Sequence, residues 1–415
     1  MNRKLYWTDF ISLLIVILTF AGLFMSVGMS SIGYLDEIIT LLCIVFIGYG
    51  IARHRFTSQE SIALVLVGCF LLIGLLGNII FGYRTEVMLI ILDMIASIKG
   101  MAYYFGFRAL RIAPIKAKRI INGVYYLCLI YIIIAFSFSI LNLLFDFGMR
   151  DERGYSIPGF KFLYTGSANA SVPYFVVIGC AALKISLQKG LRRIDYVYLL
   201  FGLVSWSLTL TSRAIGFSVL YIVLFFFVVY LSGKKRFRFR VWQCASLGIL
   251  LFFIGRAKFI DYFLNDETAR YNLIYYGLVI LKDCFPIGAG FGTFGSSVSA
   301  KYYSPLYVKL GLQNIYGLSR DYAAFVTDGL WGELFGQFGF LGTGCFIIVI
   351  CMIFISLYKK CKHNYARFAI LYIALILLLD SIGTNTYMHF VIAPVFILLA
   401  LWSKATETNE GDGKI

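Results

Sequence analysis

The chain has 415 residues, of which 60% are apolar and 14% are charged, and its formal net charge is +16. Soluble domains are roughly half apolar and about a quarter charged, so this composition excludes an ordinary water-soluble domain. The positive charge does not require nucleic acid, because Lys and Arg also collect in the cytoplasmic loops of membrane proteins.

Continuous apolar runs recur from one end of the chain to the other, and most are long enough to cross a bilayer as a helix. They do not alternate as barrel strands do, which favours helices. The sequence therefore predicts an all-α integral membrane protein that forms a single polytopic domain, 1–415. The twelve predicted spans are 7–28, 33–52, 61–82, 86–107, 120–145, 171–188, 195–211, 214–232, 241–256, 329–357, 366–380 and 386–402.

The basic residues indicate how these spans are oriented. If the N-terminus is inside, every short inner segment is basic, as at 108–119 and 234–240. The short outer turns then carry at most one basic residue, as the positive-inside rule requires. We predict that both termini are cytoplasmic, with a smaller outer loop at 146–170 and a large outer loop at 257–328. This orientation explains the charge, so we expect no nucleic-acid partner.

Cysteine and histidine usage gives no sign of a metal site. The 9 cysteines include no CxxC pair, and the 3 histidines show no metal-ligand spacing. We therefore expect neither a metal nor a cofactor. Cys284 is alone in the large outer loop, so no disulfide is predicted there.

Two arginines on the outer side are candidate anion-binding residues. Arg213 lies in the short turn TLTSRAIGF between the seventh and eighth predicted spans, and Arg270 begins a predicted amphipathic helix at 268–284. A guanidinium at the membrane surface is costly unless it is paired, and its planar donors match two phosphate oxygens. The alternatives are a lipid-headgroup anchor for Arg213 and simple solubility for a charge in the loop.

Glycines follow Pro286 in the sequence PIGAGFG. Gly288, Gly290 and Gly292 permit close approach of the backbone to a ligand, which makes them candidate substrate-binding residues. A tight turn is the alternative. No strand precedes these glycines, which argues against a dinucleotide site.

Two acidic residues lie where the large outer loop enters the tenth predicted span. Asp328 or Glu333 could accept a proton as a general base. Acidic side chains at this depth must face a cavity, find a partner or reach water. The alternative for Asp328 is a helix N-cap, and the alternative for Glu333 is a buried structural hydrogen bond.

The order of these motifs resembles the superfamily of O-antigen polymerases and O-antigen ligases. The matching pieces are SRA at 212–214, Arg270 followed by PIGAGFG at 286–292, and Asp328 eleven residues before Gly339. The segment RGYSIPGFKFLYTGSANA extends the resemblance loosely, and adds its first residue, Arg153, as a candidate for substrate binding. Ligases of this superfamily usually carry a histidine where this chain has Asp328, which favours a polymerase.

The resemblance implies a metal-independent glycosyltransferase of a bacterial inner membrane, which builds O-antigen, capsule or exopolysaccharide. It would join repeat units carried on undecaprenyl diphosphate at the outer face. Arg213 and Arg270 would stabilise the leaving diphosphate, Asp328 would be the base, and Glu333 would help to bind substrate. The expected partners are the lipid-linked oligosaccharide, membrane lipids, a chain-length regulator and a flippase.

Three alternatives stay open at this point. His389, near the outer end of the last predicted span, could replace Asp328 as the base. The chain could be an O-antigen ligase, which transfers finished glycan to another acceptor. It could also be a polysaccharide transporter or flippase, for which Asp93 and Lys99 are the charged candidates within a span.

Overall fold

The computed structural model describes residues 7–25, 35–152, 157–231, 262–389 and 393–407, together with the single positions 248, 256 and 260. These residues are mostly helical (73%), which confirms the predicted all-α class. One short antiparallel hairpin accompanies the helices, with Arg150 opposite Phe160 and Asp151 opposite Gly159.

We number the helices in chain order. They are α1 (Trp7–Met25), α2 (Leu35–Ala52), α3 (Ser58–Phe81), α4 (Val87–Ser97), α5 (Lys99–Ala109), α6 (Pro114–Leu144), α7 (Ser167–Gln188), α8 (Arg193–Ser207), α9 (Ser212–Phe225), α10 (Ala269–Asp283), α11 (Ser297–Lys301), α12 (Pro305–Lys309), α13 (Leu330–Lys359), α14 (Asn364–Asp380) and α15 (Ala393–Thr406). A π-helical turn, Phe226–Leu231, continues α9, and a 3-10 turn, Leu312–Asn314, follows α12.

Six of the described helices are long and apolar enough to cross a membrane: α2, α3, α6, α7, α9 with its π-helical turn, and α13. A seventh span results if α4 and α5, which meet at a bend of 63°, are counted together. Large apolar side chains such as Val65, Ile79 and Ile130 are exposed on these helices. So many exposed apolar groups are unfavourable in water and favourable in lipid.

The prediction of twelve spans is not confirmed. Helices α1, α8, α14 and α15 coincide with predicted spans, but α8 has only 15 residues, α14 has 17 and α15 has 14. The predicted start of the last span was wrong, because residues 386–388 form a turn after the polar end of α14. The predicted span at 241–256 lies outside the described residues, apart from two single positions.

Helix α7 lies at the centre of the bundle. It is the most buried of the six candidate spans and contacts α6, α8, α14 and α15. Small side chains on α7, including Ala181 and Ala182, are buried against these neighbours. Small residues let membrane helices approach closely, and this packing brings the start of α7 beside the start of α9 and the end of α14.

The segment predicted as the large outer loop, 257–328, has an apolar core of its own in its described part. That core includes Leu273 and Ile280 of α10 together with Phe294, Tyr307 and Leu318. The predicted helix at 268–284 is confirmed as α10, which Thr268 caps by accepting a hydrogen bond from the Tyr271 amide. α10 packs closely against α13. The loop is therefore a folded unit attached to the membrane helices.

The single predicted span at 329–357 contains a break. Gly339 of α13 has φ 58° and ψ −154°, which is not helical. We call residues 286–295 the glycine turn, and its backbone replaces the hydrogen bonds that the break removes. Ala289 N donates to Gly336 O at 2.8 Å, Gly290 N donates to Gln337 O at 2.9 Å, and Leu341 N donates to Pro286 O at 3.1 Å.

Candidate functional site

Arg213 lies in the first turn of α9 and forms an ion pair with the last residue of α14. Its Nη1 donates to Asp380 Oδ1 at 3.0 Å, and its Nη2 donates to Ala168 O at 3.4 Å. The other oxygen of Asp380 accepts from the hydroxyls of Thr384 and Thr386, each at 2.9 Å. The arginine thus has the partner that a guanidinium near a membrane surface needs, and that partner is a carboxylate of the protein.

Arg270 lies in the first turn of α10 and pairs with the predicted base. Its Nη2 donates to Asp328 Oδ2 at 2.6 Å. The guanidinium carbon lies 5.0 Å from the ring centroid of Tyr262. Its Nε is buried and has no hydrogen-bond partner among the described residues. The side chains of Arg270 and Asp328 are 32% and 20% exposed, so solvent reaches both.

The two ion pairs form one cluster around Tyr262. Burial raises the pKa of the Tyr262 hydroxyl, both arginines lower it, and both carboxylates raise it further. Four charged groups therefore act on a single hydroxyl. We call Arg213, Arg270, Asp328, Asp380 and Tyr262 the two-arginine cluster.

Asp328 has the electrostatic character of a proton acceptor. Burial raises its pKa above the ordinary aspartate range, and the positive charges of Arg270 and Arg213 offset only part of this effect. A carboxylate with a raised pKa is a stronger base, which suits proton transfer from a hydroxyl. The N-cap alternative for Asp328 is wrong, because the residue that caps α13 is Gly329.

Glu333 lies one turn into α13 and away from solvent. Its side chain is buried, and it accepts a hydrogen bond from Asn385 Nδ2. This matches the alternative of a buried structural hydrogen bond. The position gives no support to the predicted contact between Glu333 and substrate, because protein surrounds the carboxylate.

The three candidate glycines pack against other parts of the protein. A Cβ on Gly288 would lie 2.4 Å from Gly339 N, and one on Gly290 would lie 2.3 Å from Asn78 N. The φ angles of Gly288, Gly290 and Gly292 are 76°, 91° and 70°, a region that favours glycine. Gly288 and Gly290 therefore approach α13 and α3 closely, and a Cβ on Gly292 would lie 3.5 Å from a side-chain atom of Val298. We therefore assign these glycines to packing of the loop and no longer to substrate binding.

The remaining candidates differ in what the structure says about them. Arg153 lies outside the described residues, so its contact with substrate stays a prediction. His389 lies in the segment after α14, within electrostatic reach of Arg213 and Asp380, and so stays an alternative base. Asp151 accepts hydrogen bonds from Ser167 N at 2.8 Å and Ser167 Oγ at 2.6 Å, which joins the segment predicted as the smaller outer loop to the start of α7.

Sequence reasoning missed Asp380 and Tyr262. Asp380 was counted as the last residue of a predicted span. The signal that could have found it is the polar run DSIGTNT at 380–386, where an acid and three hydroxyl side chains follow a long apolar run. Tyr262 is one of 29 tyrosines, and nothing in the sequence separates it from the others.

Nothing in the described ranges groups three His, Cys, Asp or Glu side chains so that they could hold a metal ion. The metal independence of the chemistry stays a prediction. A scan against protein-family models finds no match to this chain, and a search of curated proteins finds none either. The resemblance to the O-antigen polymerase and ligase superfamily therefore rests on the motifs of the chain itself.

Proposed function

We propose that this chain is a polysaccharide polymerase, which joins repeat units carried on undecaprenyl diphosphate at the outer face of a bacterial inner membrane. The observation that most supports this is the two-arginine cluster. It brings two guanidinium groups and a carboxyl with a raised pKa together from the starts of α9, α10 and α13. Such a combination suits a reaction in which a hydroxyl loses a proton while a diphosphate gains charge.

In the proposed reaction, Asp328 takes the proton from a hydroxyl of the acceptor sugar. The oxygen of that hydroxyl attacks the anomeric carbon of the donor glycan, and the bond from this carbon to the diphosphate oxygen breaks. The bonding electrons leave with undecaprenyl diphosphate, and Arg213 and Arg270 stabilise its new negative charge. The donor already carries its leaving group, so the step consumes no nucleotide.

Both arginines are paired with a carboxylate, and this pairing is compatible with anion binding. A guanidinium has five N–H donors, and the Arg270–Asp328 pair uses only Nη2 of Arg270. The Arg213 and Arg270 side chains are 22% and 32% exposed, so an anion can approach them. Before substrate arrives, each carboxylate compensates a guanidinium that would be costly alone at a membrane surface.

Reconstitution tests the proposal directly. Purified protein in liposomes is given repeat units linked to undecaprenyl diphosphate, with no nucleotide sugar and no other acceptor. We expect a ladder of products that differ by one repeat unit, and we expect Asp328→Asn to abolish it. Arg320→Lys, at an exposed arginine of the same loop, is the control and should leave the ladder intact. Folded wild-type protein that gives no ladder would contradict the proposal, and a ligase would act only after a different acceptor is added.

One observation favours the transporter alternative. α4 and α5 form a bent span, and interrupted helices line the binding sites of many transporters. However, Lys99 at the bend pairs with Asp36, and one carboxylate oxygen of Asp93 accepts a hydrogen bond from Gly292 N at 2.7 Å, so both side chains contact protein groups. The same liposomes distinguish the two functions, because a transporter moves the oligosaccharide across the bilayer whereas a polymerase changes its length.

A further inference from the structure

A groove of about 340 Å³ lies between α1 and α6. In the part of the chain that the structure describes, these two helices supply all of its lining residues. α1 and α6 both pack against α15, which leaves a space between their facing sides. The groove is a membrane-facing feature that the proposed polymerase reaction does not use.

The wall formed by α1 is apolar. It consists of Leu13, Val16, Ile17 and Phe20, whose spacing places them on one side of the helix. Ile17 and Leu13 are 52% and 45% exposed, which is unusual for side chains that line a cavity within a protein core. Their exposure is expected if an acyl chain covers them.

The wall formed by α6 changes from charged to apolar along its length. Lys116 and Arg119 lie in its first two turns, and Leu127 lies at the other end of the groove. From Lys116 to Leu127 the helix rises about 16 Å. The groove therefore presents two cations at one end and about two helical turns of apolar surface beyond Arg119.

The cationic end of the groove and the two-arginine cluster lie toward opposite ends of α6. Beyond the last turns of α6, Arg150 donates to Asn142 O at 3.2 Å and 3.1 Å, and the neighbouring Asp151 holds the start of α7. That start also contacts Arg213, through Ala168. The last turns of α6 are thus on the side of the cluster, and its first turns with Lys116 are on the other side.

We propose that this groove binds one anionic phospholipid, with its phosphate headgroup at Lys116 and Arg119 and an acyl chain along the apolar walls. Basic pockets between membrane helices bind anionic headgroups, and a bilayer supplies such lipids at high concentration. Charge complementarity selects this occupant. A second copy of the chain, or another apolar helix, would cover Leu13 and Ile17 but would offer no anion to the exposed Arg119.

Gly123 provides a way to close the groove without disturbing the backbone. It lines the groove, and a Cβ added there meets no atom within 4 Å. Gly123→Leu therefore fills space that the lipid would occupy, and leucine also favours a helix more than glycine does. Gly68→Leu in α3 is the matched control, because a Cβ at Gly68 also meets nothing within 4 Å and Gly68 is outside the groove.

The charges are tested separately. The double variant Lys116→Gln/Arg119→Gln removes both cations from the groove. Lys118→Gln is the control, because Lys118 is an exposed lysine of the same helix turn that does not line the groove. These substitutions are at the helix surface, so they test the proposal even if Gly123→Leu fails to fold.

The experiment measures thermal unfolding of the full chain in detergent. Phosphatidylglycerol and phosphatidylcholine with the same acyl chains are compared, and glycerol phosphate without acyl chains is the third arm. We expect phosphatidylglycerol to raise the unfolding midpoint by roughly 3 °C more than phosphatidylcholine does, and glycerol phosphate to have no effect. The difference between the lipids should vanish in Gly123→Leu and in the double variant, and persist in Gly68→Leu and Lys118→Gln.

Native mass spectrometry provides a second readout, with one phosphatidylglycerol retained per wild-type chain and none per double variant. Equal shifts with both lipids would overturn the proposal, because an apolar contact alone would then explain the groove. A shift with glycerol phosphate alone would overturn the acyl-chain part. The difference in unfolding midpoint between the two lipids could also persist in both Gly123→Leu and the double variant. The lipid would then bind elsewhere, and this result would also overturn the proposal.

Discussion

Arg270 Nη2 donates a hydrogen bond of 2.6 Å to Asp328 Oδ2 across 58 residues of the chain. This ion pair joins the start of α10 to the segment that enters α13, and so closes the large outer loop. It also holds the carboxylate that we propose as the base beside a guanidinium that we propose as the stabiliser of the leaving group. The position of Arg270 therefore affects both the proton transfer to Asp328 and the departure of the diphosphate in the proposed reaction.

We expect Arg270→Lys and Arg213→Lys each to slow polymerisation about ten-fold or more while the protein still inserts in the membrane. Lysine keeps the charge but loses the planar set of donors that can bind two phosphate oxygens at once. Glycan chain length in cells that lack the native gene gives the readout, with expression checked by blot. Arg320→Lys is the matched control. Long chains from both lysine variants would contradict the assignment of these arginines to the diphosphate.

The Arg213–Asp380 pair should contribute to stability. Asp380 is 3% exposed and Arg213 is 22% exposed, so Asp380→Asn leaves a partly buried guanidinium without its counter-charge. We expect a loss of about 1–3 kcal/mol, reduced from the value of a fully buried pair because solvent reaches the arginine. Thermal unfolding measures the loss. The double variant Arg213→Gln/Asp380→Asn should lose less than the sum of the single variants.

A second ion pair provides the control for that measurement. Arg84 and Glu86 are 3.8 Å apart, and the glutamate is 61% exposed. Glu86→Gln should change stability by less than about 0.5 kcal/mol, because exposed pairs contribute little. A loss at Asp380 no larger than the loss at Glu86 would argue against a specific role for the Arg213–Asp380 pair.

The polymerisation rate should fall on acidification, with a midpoint above the ordinary aspartate range. The base acts in its deprotonated form, and burial raises the pKa of Asp328 by more than the arginines lower it. Stability should change in the opposite direction. The folded state holds the proton more tightly, so the contribution of Asp328 to stability falls as pH rises from its unfolded pKa to its folded pKa.

Initial rates in liposomes between about pH 4 and pH 8 measure the first effect, and thermal unfolding of wild type against Asp328→Asn over the same range measures the second. The variant should lack the stability change across that window. Burial lowers the pKa of His389 to about 4, so an acid limb with its midpoint near 4 would indicate instead that His389 is the base.

Gly288→Ala should prevent stable folding, whereas Gly311→Ala should be tolerated. Both glycines have positive φ, 76° and 71°, so alanine costs about 1–2 kcal/mol in backbone conformation at either site. A Cβ at Gly288 would also lie 2.4 Å from Gly339 N, whereas one at Gly311 meets nothing within 4 Å. The pair of variants thus isolates the steric contact. Equal unfolding midpoints for the two would show that the contact with α13 is dispensable.

The predicted orientation is tested by labelling single cysteines in a chain whose 9 native cysteines have been replaced. Tyr316 of the large outer loop is 74% exposed, so Tyr316→Cys should react with a membrane-impermeant reagent added outside intact cells. Lys118→Cys should react only after lysis. Ser299 is fully buried and would report on folding instead of topology. The reverse pattern would require the opposite orientation.

The sequence allowed part of this site to be predicted. Arg213, Arg270 and Asp328 are ionisable groups at the ends of apolar runs, and such groups must be paired or near water, so their position alone marks them. Asp380 is also an ionisable group at the end of an apolar run, but the predicted span 366–380 included it as its last residue. Their convergence around Tyr262 depends on how α7, α9 and α14 pack, and apolar composition does not specify which helices are neighbours.

The membrane helices were predicted unevenly for a similar reason. Hydropathy finds a long apolar helix such as α6 or α13, but it does not record a break within one. Gly339 lies in the run LFGQFGFLGTG with three other glycines, and only its contact with Gly288 distinguishes it. Composition also gives no sign of the bend at Ile98 between α4 and α5, beside which Lys99 pairs with Asp36.

The contact between the glycine turn and the break in α13 has a consequence for how the protein is made. The turn is synthesised before α13 and after α3, yet its backbone donors at Ala289 and Gly290 find their acceptors in α13. A buried backbone donor or acceptor without a partner costs about 1–3 kcal/mol. The glycine turn therefore cannot reach its final position until α13 has been synthesised. A nascent chain that ends before Leu330 should keep its large loop accessible to protease, and a chain that extends beyond Leu341 should protect it.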